Sequence, residues 1–122
     1  MNNTYANDTE YCIFARETGV KLYGSYETKR KYYVTGLNVN DKGHFDHPTI
    51  KPLNIISNLI INSSLENDIV LDSFMGSGTT CVAAKDIGRH YIGFEIEKKW
   101  FDIAKDRLNQ TDASGQISLF LR

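Results

Sequence analysis

Two groups of residues in the second half of the chain could bind a ligand. The first is the glycine-rich segment 72–80, with the sequence DSFMGSGTT, which directly follows the apolar run 69–71. Its glycines would let the backbone approach a ligand closely, because no Cβ intervenes. The second is Glu95, which ends the next apolar run, 17 residues after Gly78. A carboxylate in that position can accept hydrogen bonds from ribose hydroxyls, so the pair indicates a nucleoside site.

Other interpretations of the glycine segment fit less well. A dinucleotide site would need a third glycine where Cys81 stands, and Asp72 suits a cationic ligand better than a pyrophosphate. A phosphate-binding P-loop would need a lysine after Gly78, where Thr79 stands instead. A tight turn without a ligand stays open for the glycines alone, but acidic residues at both strand ends argue against it.

The elements around these residues are predicted from periodicity. Pro52 suits the first turn of a helix, and apolar residues follow it at helical spacing up to Ile60. The remaining predictions are a buried strand at 69–71, a helix at 79–87 closed by Gly88, a strand at 91–94, a helix at 98–108, and a short strand or packed tail at 117–120. This alternation predicts an α/β fold with a parallel sheet, right-handed crossovers and helices on both faces. Ligands bind at the carboxyl ends of such strands, so residues 72–78 and Glu95 should lie on one rim.

The first 45 residues form a peripheral part, before cofactor-binding βα units at 46–110 of the same single domain. Residues 11–16 are rich in aromatic and β-branched side chains and predict a strand. Residues 21–45 predict an irregular segment; between 21 and 42 there are five basic and two acidic residues, a local charge of +3. Basic and aromatic residues together suit phosphate contact and base stacking. The candidate nucleic-acid contacts are Lys29, Arg30, Lys31 and Tyr32; the alternative is a solvated loop with its tyrosines docked on the core.

Composition restricts the class of protein. The chain has 122 residues, 41% apolar and 24% charged, with a net charge of −1, which fits one compact domain of a soluble protein without a global basic signal. No signal peptide or membrane-spanning stretch is apparent, so we expect a cytoplasmic protein without a membrane partner. Cys12 and Cys81 match no metal-ligand spacing, and we expect two free, buried thiols and no metal.

Three motifs together resemble those of the DNA amino-methyltransferases, the N4-cytosine/N6-adenine family. The segment 72–80 looks like the family's Asp-Pro-Phe-x-Gly-Ser-Gly-Thr-Thr cofactor motif, with Ser73 in place of the usual proline. The segment 47–52, HPTIKP, resembles His-Pro-Thr-x-Lys-Pro, and the segment 93–97, GFEIE, resembles the Gly-x-Glu motif. Their order and spacing also match the family.

The resemblance implies a partial Rossmann-like methyltransferase fold that binds S-adenosylmethionine. It implies that Glu95 holds the ribose and that Lys51 could bind the cofactor's carboxylate, although a lysine at a helix start is often simply solvated. The other implied cofactor-binding residues are Thr49, Pro52, Asp72, Phe74, Gly76, Gly78 and Thr79. A cationic sulfonium compound is a natural partner for carboxylates, in agreement with the acidic residues of the rim.

One motif of the family is missing. Its Asp/Asn/Ser-Pro-Pro-aromatic motif activates the exocyclic amine and stacks on the flipped base, whereas this chain has only Pro48 and Pro52. We therefore assign no catalytic residue. The resemblance implies the C-terminal, cofactor-binding part of an enzyme acting on double-stranded DNA, with adenine N6 favoured over cytosine N4. Such a truncated or split chain would need a partner that carries the catalytic half; the alternatives are an inactive remnant or partner-binding fragment and, less well supported, an NAD-binding domain.

Overall fold

The predicted alternation of helices and strands is confirmed. A computed structural model describes residues 9–35 and 50–110, and the backbone of 117–121. The elements are α1 (Leu53–Ser63), β1 (Ile69–Asp72), α2 (Thr79–Asp86), β2 (His90–Glu95), α3 (Lys98–Asn109) and β3 (Ile117–Leu121). The sheet thus continues beyond residue 110. The predicted division of the chain between residues 45 and 46 lies outside the described residues.

The three strands form a parallel sheet in the order β1-β2-β3. The connection from β1 to β2 contains α2, and the connection from β2 to β3 contains α3. Right-handed crossovers that both step in the same direction along a sheet place their helices on the same face. Accordingly Cys81 of α2, Tyr91 of β2 and Leu108 of α3 share one core cluster. The α/β fold with flanking helices is therefore present, but the prediction of helices on both faces is wrong for the described residues.

The face of β1 turned away from these helices is open to solvent. Ile69 and Leu71 are 66% and 61% exposed, whereas Val70 between them packs against the core. Side chains alternate across a strand, so two of the three apolar residues of β1 point away from the only helical layer among the described elements. The prediction of a fully buried strand was wrong here, because it assumed a second layer.

The C-terminal end of α2 is fixed to α1 by a tight turn. Gly88 has φ +74°, and the Arg89 amide donates to the Ala84 carbonyl over 2.8 Å, which confirms the glycine as the end of the helix. The Arg89 guanidinium then donates to the Ser64 carbonyl, just beyond α1, over 3.0 Å. This turn brings the chain directly into β2.

Residues 11–16 do not form the predicted strand. Tyr11 and Ile13 are each 95% exposed, and the segment pairs with none of the three described strands. A strand needs a neighbour to satisfy its backbone hydrogen bonds, and β-propensity alone supplies none. Cys12 in this segment is exposed, contrary to expectation, whereas Cys81 is buried as expected. Within the described ranges, no helix combines the length and apolarity needed to cross a bilayer.

Gly93 gives the first test of this packing. A Cβ at position 93 would lie 2.4 Å from Met75 Sδ and 2.8 Å from Cys81 Sγ. We expect Gly93→Ala to lower the free energy of unfolding by about 1–3 kcal/mol, because a full core cannot take an added methyl group without strain. Urea denaturation measures this change.

A double-mutant cycle with Met75→Ala is the control. Removing the Met75 side chain makes room for the new methyl group, so the two substitutions together should cost less than the sum of their separate costs. Strictly additive costs would show that the close approach to Met75 is not the cause.

Candidate cofactor site

Asp72 and Glu95 end neighbouring parallel strands. β1 ends at Asp72, β2 ends at Glu95, and Asp72 pairs in register with Gly93. The two acidic residues therefore lie at the same, carboxyl edge of the sheet, where the sequence led us to expect them. Both side chains are partly exposed.

The glycine turn between β1 and α2 is held against the end of β2. The Met75 amide donates to the Phe94 carbonyl over 2.9 Å, and the Gly78 amide donates to the Met75 carbonyl over 2.8 Å. Gly78 has φ +80°, and a Cβ there would lie 2.7 Å from the Cβ of Ala104 in α3. Only glycine satisfies both the left-handed backbone and this close approach.

The Glu95 carboxylate joins the turn to the start of α3. Its Oε2 accepts from the Gly76 amide over 2.9 Å, and its Oε1 accepts from the Glu97 amide over 2.8 Å. A carboxylate oxygen has two acceptor positions, so each oxygen retains capacity for a further donor such as a hydroxyl. Asp72 is held more locally, since its Oδ1 accepts from the Phe74 amide over 3.1 Å.

Two other residues of segment 72–80 have very different surroundings. The Phe74 side chain is 91% exposed and extends from the rim into solvent. Thr79 is buried, and its hydroxyl accepts a hydrogen bond from Arg107 over 3.2 Å. A contact between Thr79 and a ligand would therefore come from its backbone at the start of α2.

The residues expected from the segment 47–52 are only partly described. Thr49 lies outside the described residues. Pro52 stands immediately before α1, and the Ile56 amide donates to its carbonyl over 3.3 Å. The Lys51 ammonium pairs with Glu10 over 2.7 Å, and both side chains are substantially exposed. The sequence did not predict this pair, whose members lie 41 residues apart.

Two weakly acidic groups, the Cys81 thiol and the Tyr91 hydroxyl, are buried in the core behind the turn. Burial, with a smaller contribution from the negative charge of Asp72, raises the pKa of the Cys81 thiol to about 12. Burial also raises the pKa of Tyr91 to about 12, with the neighbouring Cys81 adding to the effect. At neutral pH both groups stay protonated, so Cys81 is not a nucleophile. In the described ranges, no cluster of His, Cys, Asp or Glu could hold a metal ion.

Arg107 is a residue of this region that the sequence did not single out. It is buried in α3 and donates from Nη1 to the Ser77 carbonyl over 2.6 Å and to the hydroxyls of Ser77 and Thr79 over 3.2 Å each. A basic residue beside the apolar stripe of a helix ordinarily points to solvent. The one available signal was its spacing of three from Ala104, which places both residues on similar sides of α3.

The candidate nucleic-acid segment is anchored on the end of α1. The Tyr23 amide donates to the Asn62 carbonyl over 2.8 Å, and the Asn62 side-chain amide donates to the Thr28 carbonyl over 2.6 Å. Residues 21–35 are irregular, as predicted. Tyr26 and Tyr32 are exposed, as expected of residues that stack on bases. Tyr23 and Tyr33 are partly buried, as expected of tyrosines docked on the core.

The charged residues of that segment lie on its surface. Lys29, Arg30 and Lys31 are all exposed. Arg30 forms an ion pair with Glu27, whereas the described ion pairs include neither Lys29 nor Lys31. The buried Asn62 thus fixes the base of a loop that displays basic and aromatic side chains.

Comparison with known proteins finds one family. The family model for DNA methylases, covering N6 and N4 methyltransferases, matches residues 2–106. The chain is 38% identical over 123 residues to the type II methyltransferase M2.LlaDCHI of Lactococcus lactis subsp. cremoris, covering 91% of this chain and 46% of that protein. It is 45% identical over 71 residues to M.HinfI of Haemophilus influenzae, covering 58% of this chain and 20% of the relative.

Solved structures agree. The M1.HpyAVI–SAM complex superposes with a TM-score of 0.59 at 36% identity, covering 77% of this chain and 47% of that one. TTHA0409 of Thermus thermophilus, complexed with S-adenosyl-L-methionine, superposes with a TM-score of 0.53 at 31% identity, covering 58% of this chain and 29% of that one. The chain spans less than half the length of each of these relatives. With the glycine turn, the acidic rim and a family match over most of its length, the chain belongs to the N6/N4 DNA methylase family.

Proposed function

We propose that this chain binds S-adenosylmethionine at the rim formed by Asp72, the glycine turn and Glu95. The observation that carries the proposal is the Glu95 carboxylate, which is held by the Gly76 and Glu97 amides and still has acceptor capacity on both oxygens. It is further supported by the two structural relatives in complex with this cofactor.

The described residues fit the cofactor chemically. Glu95 would accept from the ribose hydroxyls, and Asp72 would face the cationic methionine part. Gly76 would leave room for the ligand along the turn, and Gly78 would present its backbone there while its α-carbon packs against Ala104 of α3. Phe74 and the Thr79 backbone would lie beside the ligand. Thr49, Lys51 and Pro52 would approach from the start of α1; Lys51 would have to exchange Glu10 for the cofactor's carboxylate. When bound, the cofactor supplies an electrophilic methyl group.

Substitution of the acidic residues tests this site. We expect Glu95→Ala and Asp72→Ala each to weaken S-adenosylmethionine binding at least tenfold, since each removes charge-assisted hydrogen bonds worth about 1.5–3 kcal/mol. Isothermal titration calorimetry measures the affinity, with NAD as the competing ligand. Heat with NAD alone would favour the dinucleotide interpretation.

Glu97→Ala is the matched control. Glu97 is an exposed carboxylate two residues after Glu95, and only its backbone amide takes part in the described contact with Glu95. Its removal should leave the affinity unchanged. If Glu95→Ala and Asp72→Ala also bind as tightly as the unsubstituted chain, the ligand lies elsewhere.

We further propose that the loop 26–32 contacts double-stranded DNA. Its exposed Lys29, Lys31 and Tyr32 suit phosphate contact and stacking, with Arg30 shared between Glu27 and the phosphates. The anchor on the buried Asn62 supports the proposal, because a loop with a fixed base loses less entropy on binding.

Salt dependence of DNA binding tests the loop. We expect the double substitution Lys29→Ala/Lys31→Ala to weaken binding of a DNA duplex and to lower the slope of log K against log salt by about 1–2, since each phosphate contact contributes about 0.9. Fluorescence anisotropy at several salt concentrations measures this slope. The pair Lys98→Ala/Lys99→Ala, exposed at the start of α3, is the control for equal loss of charge. Equal slopes for both variants would argue against the loop.

We propose that the complete activity is transfer of a methyl group to an exocyclic amine of DNA, with adenine N6 favoured over cytosine N4 by overall likeness of the motifs. The Pro-Pro-aromatic motif would come from another segment of the same polypeptide or from a second one. The chain's match to less than half of M2.LlaDCHI supports this view, as do the exposed face of β1 and its place at the edge of the described sheet. An inactive or partner-binding remnant is the competing hypothesis, because an uncovered sheet edge also suits other partners.

Reconstitution separates these hypotheses. We expect an open reading frame beside this gene, or in frame with it, to encode the Pro-Pro-aromatic motif. The joined polypeptide, or the two products together, should methylate DNA, whereas the same preparation with the motif's polar residue replaced by alanine should not. Radiolabelled cofactor measures transfer, and mass spectrometry of the nucleosides distinguishes N6-methyladenine from N4-methylcytosine. The absence of any such frame would favour the remnant.

A further inference from the structure

Arg107 joins α3 to the glycine turn. The residue is only 8% exposed. Its Nη1 donates to three oxygen atoms of Ser77 and Thr79. These two residues flank Gly78, which like Gly76 in the same turn has a left-handed backbone. The guanidinium therefore holds the turn from behind, on the side of α3.

A second residue of α3 contacts the same turn. Ala104, one helical turn before Arg107, lies where a Cβ on Gly78 would be only 2.7 Å away. Ala104 sets how closely α3 approaches the turn, and Arg107 fixes the direction of the Ser77 carbonyl. Together they define one conformation of the peptide between Ser77 and Gly78.

That peptide is close in sequence to the ligand-facing part of the turn. Gly76, directly before Ser77, donates its amide to the Glu95 carboxylate over 2.9 Å. A change in the Ser77 carbonyl direction would rotate the neighbouring backbone and move the Gly76 amide relative to Glu95. The contact chain thus runs from Arg107 through Ser77 and Gly76 to the carboxylate at the rim.

We propose that Arg107 is a positioning residue of the cofactor site, which keeps the glycine turn and Glu95 in a binding-competent arrangement from the side opposite the ligand. This inference rests on the proposed S-adenosylmethionine site, but its effect on the turn exists without any ligand. Through its contacts with Ser77 and Thr79, Arg107 would act on the cofactor by way of the turn.

Lys85 provides a matched control. It is also a buried cation, 7% exposed, and its Nζ donates to the Leu108 carbonyl over 2.7 Å, so it likewise joins α2 to α3. Its described contact is with the end of α3 and not with the turn. Lys85→Met should therefore destabilise the same helix pair without loosening the turn.

Hydrogen–deuterium exchange in the full chain without ligand is the first measurement. In Arg107→Met we expect the Gly76 and Gly78 amides to exchange about tenfold faster than in Lys85→Met, corresponding to loss of one charge-assisted contact. Comparison with Lys85→Met separates turn opening from general loss of stability. Equal exchange in the two variants overturns the proposal, whether or not the chain binds the cofactor.

Calorimetry with S-adenosylmethionine is the second measurement. We expect Arg107→Met to weaken binding at least fivefold, Lys85→Met to leave the affinity of the folded protein unchanged, and Arg107→Lys to recover part of the loss. Tight binding by Arg107→Met would overturn the proposal. If the unsubstituted chain does not bind, the proposed function fails while the exchange result still decides the role of Arg107. If Arg107→Met does not fold, Arg107→Gln and Arg107→Lys replace it in both measurements.

Discussion

The hydrogen bond from the Gly76 amide to the Glu95 carboxylate joins two parts of the chain that are 19 residues apart. It connects the turn after β1 to the end of β2, and through the Glu97 amide it also reaches the start of α3. Because the acceptor is ionised, the bond is stronger than one between neutral groups. The shape of the rim follows from this link, since a turn that moved away would leave Glu95 without its partner.

Close packing behind the rim keeps this link in place. Gly78 lies against Ala104 and Gly93 against Met75 and Cys81, so closely that a Cβ at either position would force its neighbours to shift. The Cys81 thiol stays protonated at physiological pH, because burial raises its pKa to about 12. Negative charge at the rim therefore comes from the two carboxylates at the strand ends, an arrangement suited to a cationic nucleoside.

The sheet is covered by helices on one face only, within the part of the chain that the structure describes. Both crossovers step from one strand to its next neighbour, so α2 and α3 share a face, and α1 packs on α2. Ile69 and Leu71 remain on the other face of an edge strand, where apolar side chains favour burial by an added layer. This uncovered face agrees with the length of M2.LlaDCHI, which is more than twice that of the matched region. It also agrees with the absence of a Pro-Pro-aromatic motif from this chain.

The sequence by itself determined the order of the elements and the rim, because apolar periodicity and glycine position are local signals. Asp72 and Glu95 could be placed together in advance, since strands in parallel crossover units end at one edge. Tertiary structure decided everything that depends on partners distant in the chain. Residues 11–16 have strand propensity but no described strand to pair with, Lys51 meets Glu10, and Arg107 is buried because α3 packs against the turn. Pairing and burial are properties of the assembled layers, and no single segment encodes them.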